Sequence, residues 1–274
     1  MTSRIYSAVR ALPLSGRIGL GFVAFWLLIA ILAPVIAPYS ISEFVDRTVF
    51  SGSSRAFWLG TDFLGRDVLS RLMWGARYTV LLALGAAILA VTTGTSLALF
   101  AAIRGGWVDE VLARIMDTLI SMPSKILALV LVAAFGSSLT LLLAIAAFTY
   151  VPGNFRIARA LAMNLIALDF VQVARARGEG TAYIAWREVL PNMIHPLMAD
   201  MGLRFVFIVL LLSGLSFLGL GVQPPYADLG SLVRENVSGL TEGAVAVIAP
   251  AIAIATLTVG ANLLIDALKP GGKA

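Results

Sequence analysis

The 274-residue sequence contains no cysteine, a single histidine and only three lysines. Without cysteine there can be no disulfide framework and no thiolate metal site. His195 has no nucleophile near it in the sequence, so it forms no catalytic constellation. None of the lysines (Lys125, Lys269 and Lys273) follows a Gly-x-x-x-x-Gly-Lys-Ser/Thr phosphate loop. We therefore expect no catalytic site, no metal site and no cofactor, and any ATP that drives this protein must be bound by another chain.

Charged residues are also scarce, at 13% of the chain, whereas hydrophobic residues make up 59% and the mean hydropathy is +0.94. A typical soluble domain is about one quarter charged. Residues 18–37, 78–103 and 244–265 carry no charged side chain. Each run is long enough to cross the hydrocarbon core of a bilayer, which takes roughly 20 residues. The chain is thus predicted to lie in membrane lipid, and its net charge of +5 reflects topology and not nucleic-acid binding.

Six transmembrane helices are predicted, which makes the fold class an all-α membrane protein. The uncharged chain between Lys125 and Arg156 exceeds one span and is too short for two, so we divide it at Gly136. The third span must then extend back past Pro123 as one helix. The predicted spans are residues 18–37, 78–103, about 117–136, about 139–157, about 203–222 and 244–265.

The distribution of Lys and Arg predicts that both termini are cytoplasmic, because positive charge concentrates on that side. This orientation places thirteen Lys and Arg residues inside, Arg204 among them, and six outside. The predicted organisation is a cytoplasmic N-terminus (1–17), a first transmembrane helix (18–37), a periplasmic segment (38–77), a five-helix core (78–266) that includes a cytoplasmic loop (158–197), and a cytoplasmic tail (267–274).

The polar interruption before the fifth span is the most informative part of the sequence. Residues 165–197 read LIALDFVQVARARGEGTAYIAWREVLPNMIHPL. The pattern predicts one short helix over 169–177, a glycine corner, and a second helix that starts after Thr181 and ends by Pro191. The apolar positions are too few for an independent domain, but they suit an amphipathic helix that binds in a groove of a partner.

This interruption resembles the EAA loop of ABC importer permeases, whose pattern is Glu-Ala-Ala, three residues, Gly, and then a gap to Leu-Pro. The matching positions are Gln172, Val173, Ala174, Gly178, Leu190 and Pro191. The spacing is kept. Two residues depart from the pattern, since Gln172 replaces the usual Glu and Val173 the usual Ala.

Three further segments narrow the resemblance to permeases of the dipeptide/oligopeptide/nickel family, in particular the second, C-type subunit. They are LGTDFLGRDVLSRL at 59–72, SFLGLGVQPP at 216–225 and NLLIDALKP at 262–270. The chain departs from the family at Leu229, where Trp is usual, and in its shortened C-terminus. The resemblance implies a type I ABC importer permease fold with a cytoplasmic coupling helix, in a bacterial inner membrane.

The resemblance also implies partners and a mechanism. A second, paralogous permease would complete the pore, and two ATP-binding subunits would dock on the coupling loops. A periplasmic or lipid-anchored binding protein would deliver a di- or oligopeptide. Gly178 would be required at the corner for positive φ or close backbone approach. Arg175, Arg177 and Glu188 either pair with the ATPase or form a solvated cytoplasmic face.

Four other charged residues each have more than one interpretation. Asp62, Arg66 and Asp67 either contact the binding protein, line the outer vestibule, or form a salt-bridged, capped helix start at the interface. Lys125 lies within a predicted span, where an ionisable group indicates a functional site by default. It either faces the translocation path, pairs with Asp117, or extends to the inner interface as a snorkelling lysine.

Three alternative functions remain open at this point. A nickel or metal-chelate substrate is the nearest, although one His and no Cys argue weakly against direct metal handling. A secondary transporter would show inverted repeats and broken helices around a midplane site. An intramembrane enzyme would need paired catalytic groups within its spans, and only Lys125 is a candidate.

Overall fold

The computed structural model describes residues 12–241 and 245–268, and the regular elements there are helical apart from one isolated bridge between Thr61 and Asp67. The all-α prediction is therefore confirmed. The helices are α1 (Leu14–Ile36), α2 (Val68–Arg104), α3 (Gly106–Ser121), α4 (Ser124–Phe135), α5 (Leu139–Ile166), α6 (Asp169–Ala176), α7 (Thr181–Phe217), α8 (Leu229–Glu235) and α9 (Val245–Leu268), with a 3-10 turn at Val237–Leu240.

Five of these helices, α1, α2, α5, α7 and α9, are each long and apolar enough to cross a membrane. The pair α3 and α4 makes a sixth candidate span, but the two helices meet at an angle of 91°. The prediction of one helix running through Pro123 is wrong. Met122 has extended backbone angles before this proline, because a proline disfavours helical geometry in the residue that precedes it.

Two of the spans are much longer than a membrane requires. Both α2 and α7 contain 37 residues, and a helix of that length measures about 55 Å. The α2 helix begins at Val68 and not at the predicted Tyr78. Its start is set by Asp67, whose carboxylate accepts a hydrogen bond from the Ser70 amide at 2.8 Å.

The α7 helix joins the second half of the predicted loop to the fifth span. Our expectation that a short helix ends by Pro191 is wrong, since the chain stays helical to Phe217. The turns at Ile184–Val189, directly before this proline, are π-helical. A proline lacks the N–H that an α-helix needs, and the change of hydrogen-bond pattern at this point lets the helix continue.

Small residues allow the spans to approach closely, as the Ala90-x-x-x-Gly94 pattern predicts. A Cβ atom on Gly94 would lie 2.5 Å from the Asn154 side chain and 2.9 Å from the Val151 carbonyl of α5. The same kind of contact joins α1 to α9, where a Cβ on Gly19 would lie 2.6 Å from the Gly260 carbonyl.

One end of the bundle carries the segment 38–67 together with α8, and the opposite end carries α6 and the start of α7. We call these the outer end and the coupling end. Most of the predicted N-terminal segment and tail, Ala244 at the predicted start of the sixth span, and Lys269 and Lys273 lie outside the described residues.

Candidate functional site

The candidate site is the coupling segment, residues 165–191, which contains α6, a glycine corner and the first turns of α7. Gly178 ends α6 with φ of +82°. Its amide donates to the Arg175 carbonyl at 2.9 Å, and the Glu179 amide donates to the Ala174 carbonyl at 3.2 Å. These two bonds form a Schellman motif, in which a left-handed residue closes the helix. The predicted positive φ is confirmed, and no atom crowds the site of a Cβ.

The side chains of the coupling segment divide between two directions. Val171, Ala174, Ile184 and Val189 are buried in the core of the chain itself. By contrast, the apolar side chains of Val173, Tyr183 and Trp186 are exposed, as are Gln172, Arg175 and Arg177. The inward set anchors the segment on the bundle. The outward set is an amphipathic surface with apolar groups in solvent, which is the form of a docking helix.

Two side chains of the predicted coupling pattern, Ala174 and Leu190, pack inside the chain itself. Ala174 is fully buried, and Leu190 packs against the core. Gln172 uses its amide nitrogen to donate to the Ile166 carbonyl at 3.1 Å. Pro191 is exposed in α7. Of the residues that resemble the EAA pattern, Gln172, Val173 and Pro191 therefore have side chains that a partner can reach.

The charges of the coupling segment form one weak internal cluster. Arg177 lies 3.4 Å from Glu188 and 3.9 Å from Glu179 across the glycine corner. The guanidinium is more than half exposed, and exposed ion pairs of this kind contribute about 0–1 kcal/mol. These groups are consequently free to exchange partners at little cost.

A cleft of about 250 Å³ adjoins the coupling segment, between the end of α2 and the start of α7. One wall carries Phe100 and Arg104, and the opposite wall carries Thr181 and Trp186. The Arg104 guanidinium lies 5.7 Å from the centre of the Phe100 ring.

At the outer end, Asp62 and Arg66 belong to a buried ion network with Arg71 and Glu235. Asp62 accepts from Arg66 at 2.8 Å and from Arg71 at 2.7 Å, and Glu235 accepts from the same two arginines at 3.0 and 2.8 Å. The side chains of Asp62 and Arg71 are only 1% and 3% exposed. Asp67 caps α2 and is also buried. This geometry favours the salt-bridged, capped helix start over a direct contact of Asp62 or Asp67 with a binding protein.

Lys125 lies at the start of α4, directly after the bend. It lines a cleft of about 230 Å³ with Leu129 and the stretch of α7 from Leu211 to Leu218. That stretch is the end of α7 farthest from the coupling segment. Among the ion pairs of the described residues there is none between Lys125 and Asp117.

A buried polar network that the sequence did not predict lies in the middle of the bundle. Asp200 and Arg204, one turn apart on α7, form an ion pair with N–O distances of 2.6 and 2.9 Å. Asn154 of α5 donates to Asp200 at 2.8 Å, and Thr95 of α2 donates to Asn154 at 3.1 Å. We counted Arg204 as a cytoplasmic charge, but it is buried within a span. The i, i+4 spacing of Asp and Arg in an apolar stretch was the available signal.

Comparison with known proteins gives one consistent result. A family model described as the binding-protein-dependent transport system inner membrane component matches residues 94–271. The chain is 32% identical over 252 residues to the dipeptide transport system permease protein DppC of Alkalihalophilus pseudofirmus, which covers 92% of this chain and 83% of that protein.

Two other relatives are similar to the chain over comparable lengths. The di/tripeptide transport system permease protein DppC of Pseudomonas aeruginosa is 34% identical over 259 residues, with 91% of this chain and 86% of that protein covered. The glutathione transport system permease protein GsiD of Pectobacterium atrosepticum is 31% identical over 249 residues, with 90% and 83% covered. The chain belongs to the family of inner membrane components of binding-protein-dependent transport systems, as its resemblance to ABC importer permeases predicted.

Proposed function

We propose that this chain is the permease subunit of an ATP-driven importer of di- or oligopeptides and forms half of its translocation pathway. The observation that carries the proposal is the similarity, over at least nine tenths of the chain, to proteins named as dipeptide, di/tripeptide and glutathione permeases. These names favour peptides over the nickel or metal-chelate alternative. Among the described residues there is also no cluster of potential metal ligands.

The coupling segment is the proposed contact with an ATP-binding subunit. Its exposed groups, Val173, Trp186 and Arg175, offer the apolar and positive surface that a groove on a partner needs. When the ATP-binding subunits close, they push this segment. Because α7 runs without interruption from the coupling segment to the outer end, the push moves a membrane span directly.

The proposed assembly contains two permease subunits, which share one translocation pathway, and their partners. A second, paralogous permease completes the pore, two ATP-binding subunits hydrolyse ATP, and a periplasmic or lipid-anchored binding protein delivers the solute. The chain itself catalyses no reaction and binds no cofactor. Both termini are cytoplasmic in this arrangement, so the coupling end faces the ATP-binding subunits and the outer end faces the binding protein.

Lys125 is our candidate for a residue on the translocation path. It is exposed in an apolar cleft, at the bend between α3 and α4 and toward the outer end of α7. A charged group in an apolar cleft of a membrane protein is costly unless it faces water or a partner. A water-filled pathway between two permeases supplies that environment.

Isolation from the native membrane tests the proposed function. The tagged chain should be recovered with an ATP-binding subunit and a second permease, and the complex in proteoliposomes should import a labelled dipeptide only with ATP and binding protein. Recovery of a transporter that works without any ATP-binding subunit would contradict the proposal. Transport of a nickel chelate in place of peptides would contradict the substrate but not the mechanism.

A further inference from the structure

The buried network around Asp200 joins three membrane spans at one point. Its members are Asp200 and Arg204 of α7, Asn154 of α5 and Thr95 of α2. Arg204 also donates to the Tyr150 carbonyl of α5 at 3.0 Å. Both oxygens of Asp200 accept hydrogen bonds, and Asp200 and Arg204 are each only 6% exposed. The polar groups of the network are thus bonded to one another between the three spans.

The packing around the network is tight as well as polar. A Cβ atom on Gly94 would lie 2.5 Å from the Asn154 amide oxygen, and one on Gly153 would lie 3.0 Å from the Arg204 guanidinium. Glycine at these positions lets the backbones of α2 and α5 come within reach of the polar groups. The three spans are therefore fixed to each other here by contacts that tolerate little sliding.

Two members of the network, Asp200 and Arg204, lie on α7, the helix that also contains the second half of the coupling segment. Eleven residues separate Asp200 from Val189, the last π-helical residue, which corresponds to about 16 Å along a helix axis. A displacement of the coupling segment along α7 thus reaches Asp200 before it reaches the outer half of the bundle. From Asp200 it passes to α5 through Asn154 and to α2 through Thr95.

We propose that Asp200, Arg204 and Asn154 form a mechanical joint that passes the movement of the coupling segment from α7 to α5 and α2. They are positioning residues of the transport cycle, since they move the spans and do not contact the solute. The inference rests on the proposed function. Without the joint, α7 responds to the ATP-binding subunits while the other two spans lag behind, so ATP is hydrolysed with little uptake.

The decisive quantity is the number of peptides imported per ATP hydrolysed by the complex in proteoliposomes with binding protein. Asp200→Asn removes the ion pair while keeping the shape of the side chain. We expect it to lower this ratio about tenfold, within the range of typical coupling effects, while stimulated ATP hydrolysis persists. Asp200→Glu, which restores the charge, should recover part of the ratio.

If loss of the ion pair prevents folding, a second pair of variants with smaller changes still tests the inference. Thr95→Val removes only the hydrogen bond that Thr95 donates to Asn154. Thr92→Val is its control, because Thr92 is exposed and bonds only to carbonyls of its own helix. Thr95→Val should lower the ratio about twofold, a small coupling effect, and Thr92→Val should leave it unchanged.

The outcomes separate the joint from a purely structural role and from the proposed function. If uptake and hydrolysis fall together in Asp200→Asn and Thr95→Val, with the ratio constant, the network only stabilises the fold and the inference is overturned. An unchanged ratio with full activity overturns it equally. If the unmodified complex shows no ATP-dependent peptide uptake, the proposed function itself fails, whatever the variants do.

Discussion

The two ends of the molecule use charge in opposite ways. At the outer end, Asp62, Arg66, Arg71 and Glu235 are buried and bonded to each other. At the coupling end, Arg177 makes only long contacts across the glycine corner while half exposed to solvent. These four charges of the outer end are paired inside the protein, whereas the ion pairs of the coupling segment remain exposed to a partner.

This contrast indicates different tasks for the two ends. A buried ion network holds the segment 38–67 and α8 in one geometry, because breaking one of its pairs leaves an unpaired charge inside the protein. An exposed surface of weak ion pairs and apolar side chains gains energy only when a partner covers it. We call the buried ion network of the outer end the frame, because it holds that end in one geometry. The coupling end, by contrast, is a surface for a partner to bind.

The largest expected effect is loss of the frame through Arg71→Ala. The change removes the more deeply buried of the two arginines that Asp62 and Glu235 share, so we expect destabilisation of about 3–5 kcal/mol, typical of a broken buried pair. Thermal unfolding of the purified protein in detergent measures it. Arg55→Ala is the control, because Arg55 is exposed in the same segment. Equal melting temperatures for the two variants would show that the outer network is not a frame.

A pH dependence at the outer end is next in size. Asp228 is buried as the cap of α8, and burial raises the pKa of its carboxyl to about 6. The folded protein therefore binds this proton more tightly than the unfolded chain does. The contribution of this group to stability is fully present at low pH, below the unfolded pKa of about 3.9, and declines as pH rises to the folded value.

Asp228→Asn should remove this dependence while keeping an oxygen that can cap the helix. We expect the unmodified protein to lose about 2 kcal/mol more than the variant between pH 4 and pH 7, as a pKa difference of this size implies. Thermal unfolding at a series of pH values measures both proteins. Parallel curves would show that folding does not raise the pKa of the Asp228 carboxyl.

At the coupling end, Gly178→Val should strain the corner. A β-branched residue at φ of +82° is a backbone outlier, and the left-handed conformation costs about 1–2 kcal/mol for residues other than glycine. We expect uptake to be abolished while membrane insertion stays intact, since the corner sets the direction of α6. The measurement is peptide uptake per assembled complex.

The matched control is Gly180→Val, two residues along the same corner. Gly180 has φ of −73°, which any residue adopts, and a Cβ there would meet no atom. This variant should keep most of the uptake. Equal losses in both variants would mean that added bulk matters and the positive φ does not.

The smallest effect on stability is expected from Arg177→Ala. Its exposed ion pairs contribute at most about 1 kcal/mol, so the melting temperature should hardly change, in contrast to Arg71→Ala. Affinity for the ATP-binding subunit should fall if the guanidinium exchanges Glu188 for a group on the partner. Titration of the ATP-binding subunit against the reconstituted permease measures this. A large loss of stability would show that Arg177 stabilises the fold as the buried arginines do, and the contrast between the two ends would be wrong.

Much of the fold follows from the sequence, because hydrophobic runs report which residues face lipid or core. The apolar parts of the five long helices were predictable in this way, while glycines marked the corner at Gly178 and the close packing at Gly94. The direction of a helix is not encoded in such runs. For that reason the bend at Met122 was missed, although Pro123 was its local signal, and Pro191 was wrongly expected to end a helix that π-helical turns allow to continue.

The candidate site was predictable only in part. Spacing located the coupling segment, but it could not tell that Ala174 is buried while the adjacent Val173 is 55% exposed. The buried network around Asp200 and Arg204 was not predicted, for a related reason. A count of positive charges treats every arginine as a surface group, and partners on three different spans become neighbours only after folding.

Single-cysteine cross-linking tests the central claim most directly, that the exposed face of the coupling segment contacts an ATP-binding subunit. The chain has no cysteine, so Val173→Cys and Ala174→Cys can each carry one photoreactive maleimide in the assembled complex. We predict that Val173→Cys yields a covalent product with the ATP-binding subunit and that Ala174→Cys, whose position is buried, does not. No product from Val173→Cys, or equal yields from both, would contradict the account.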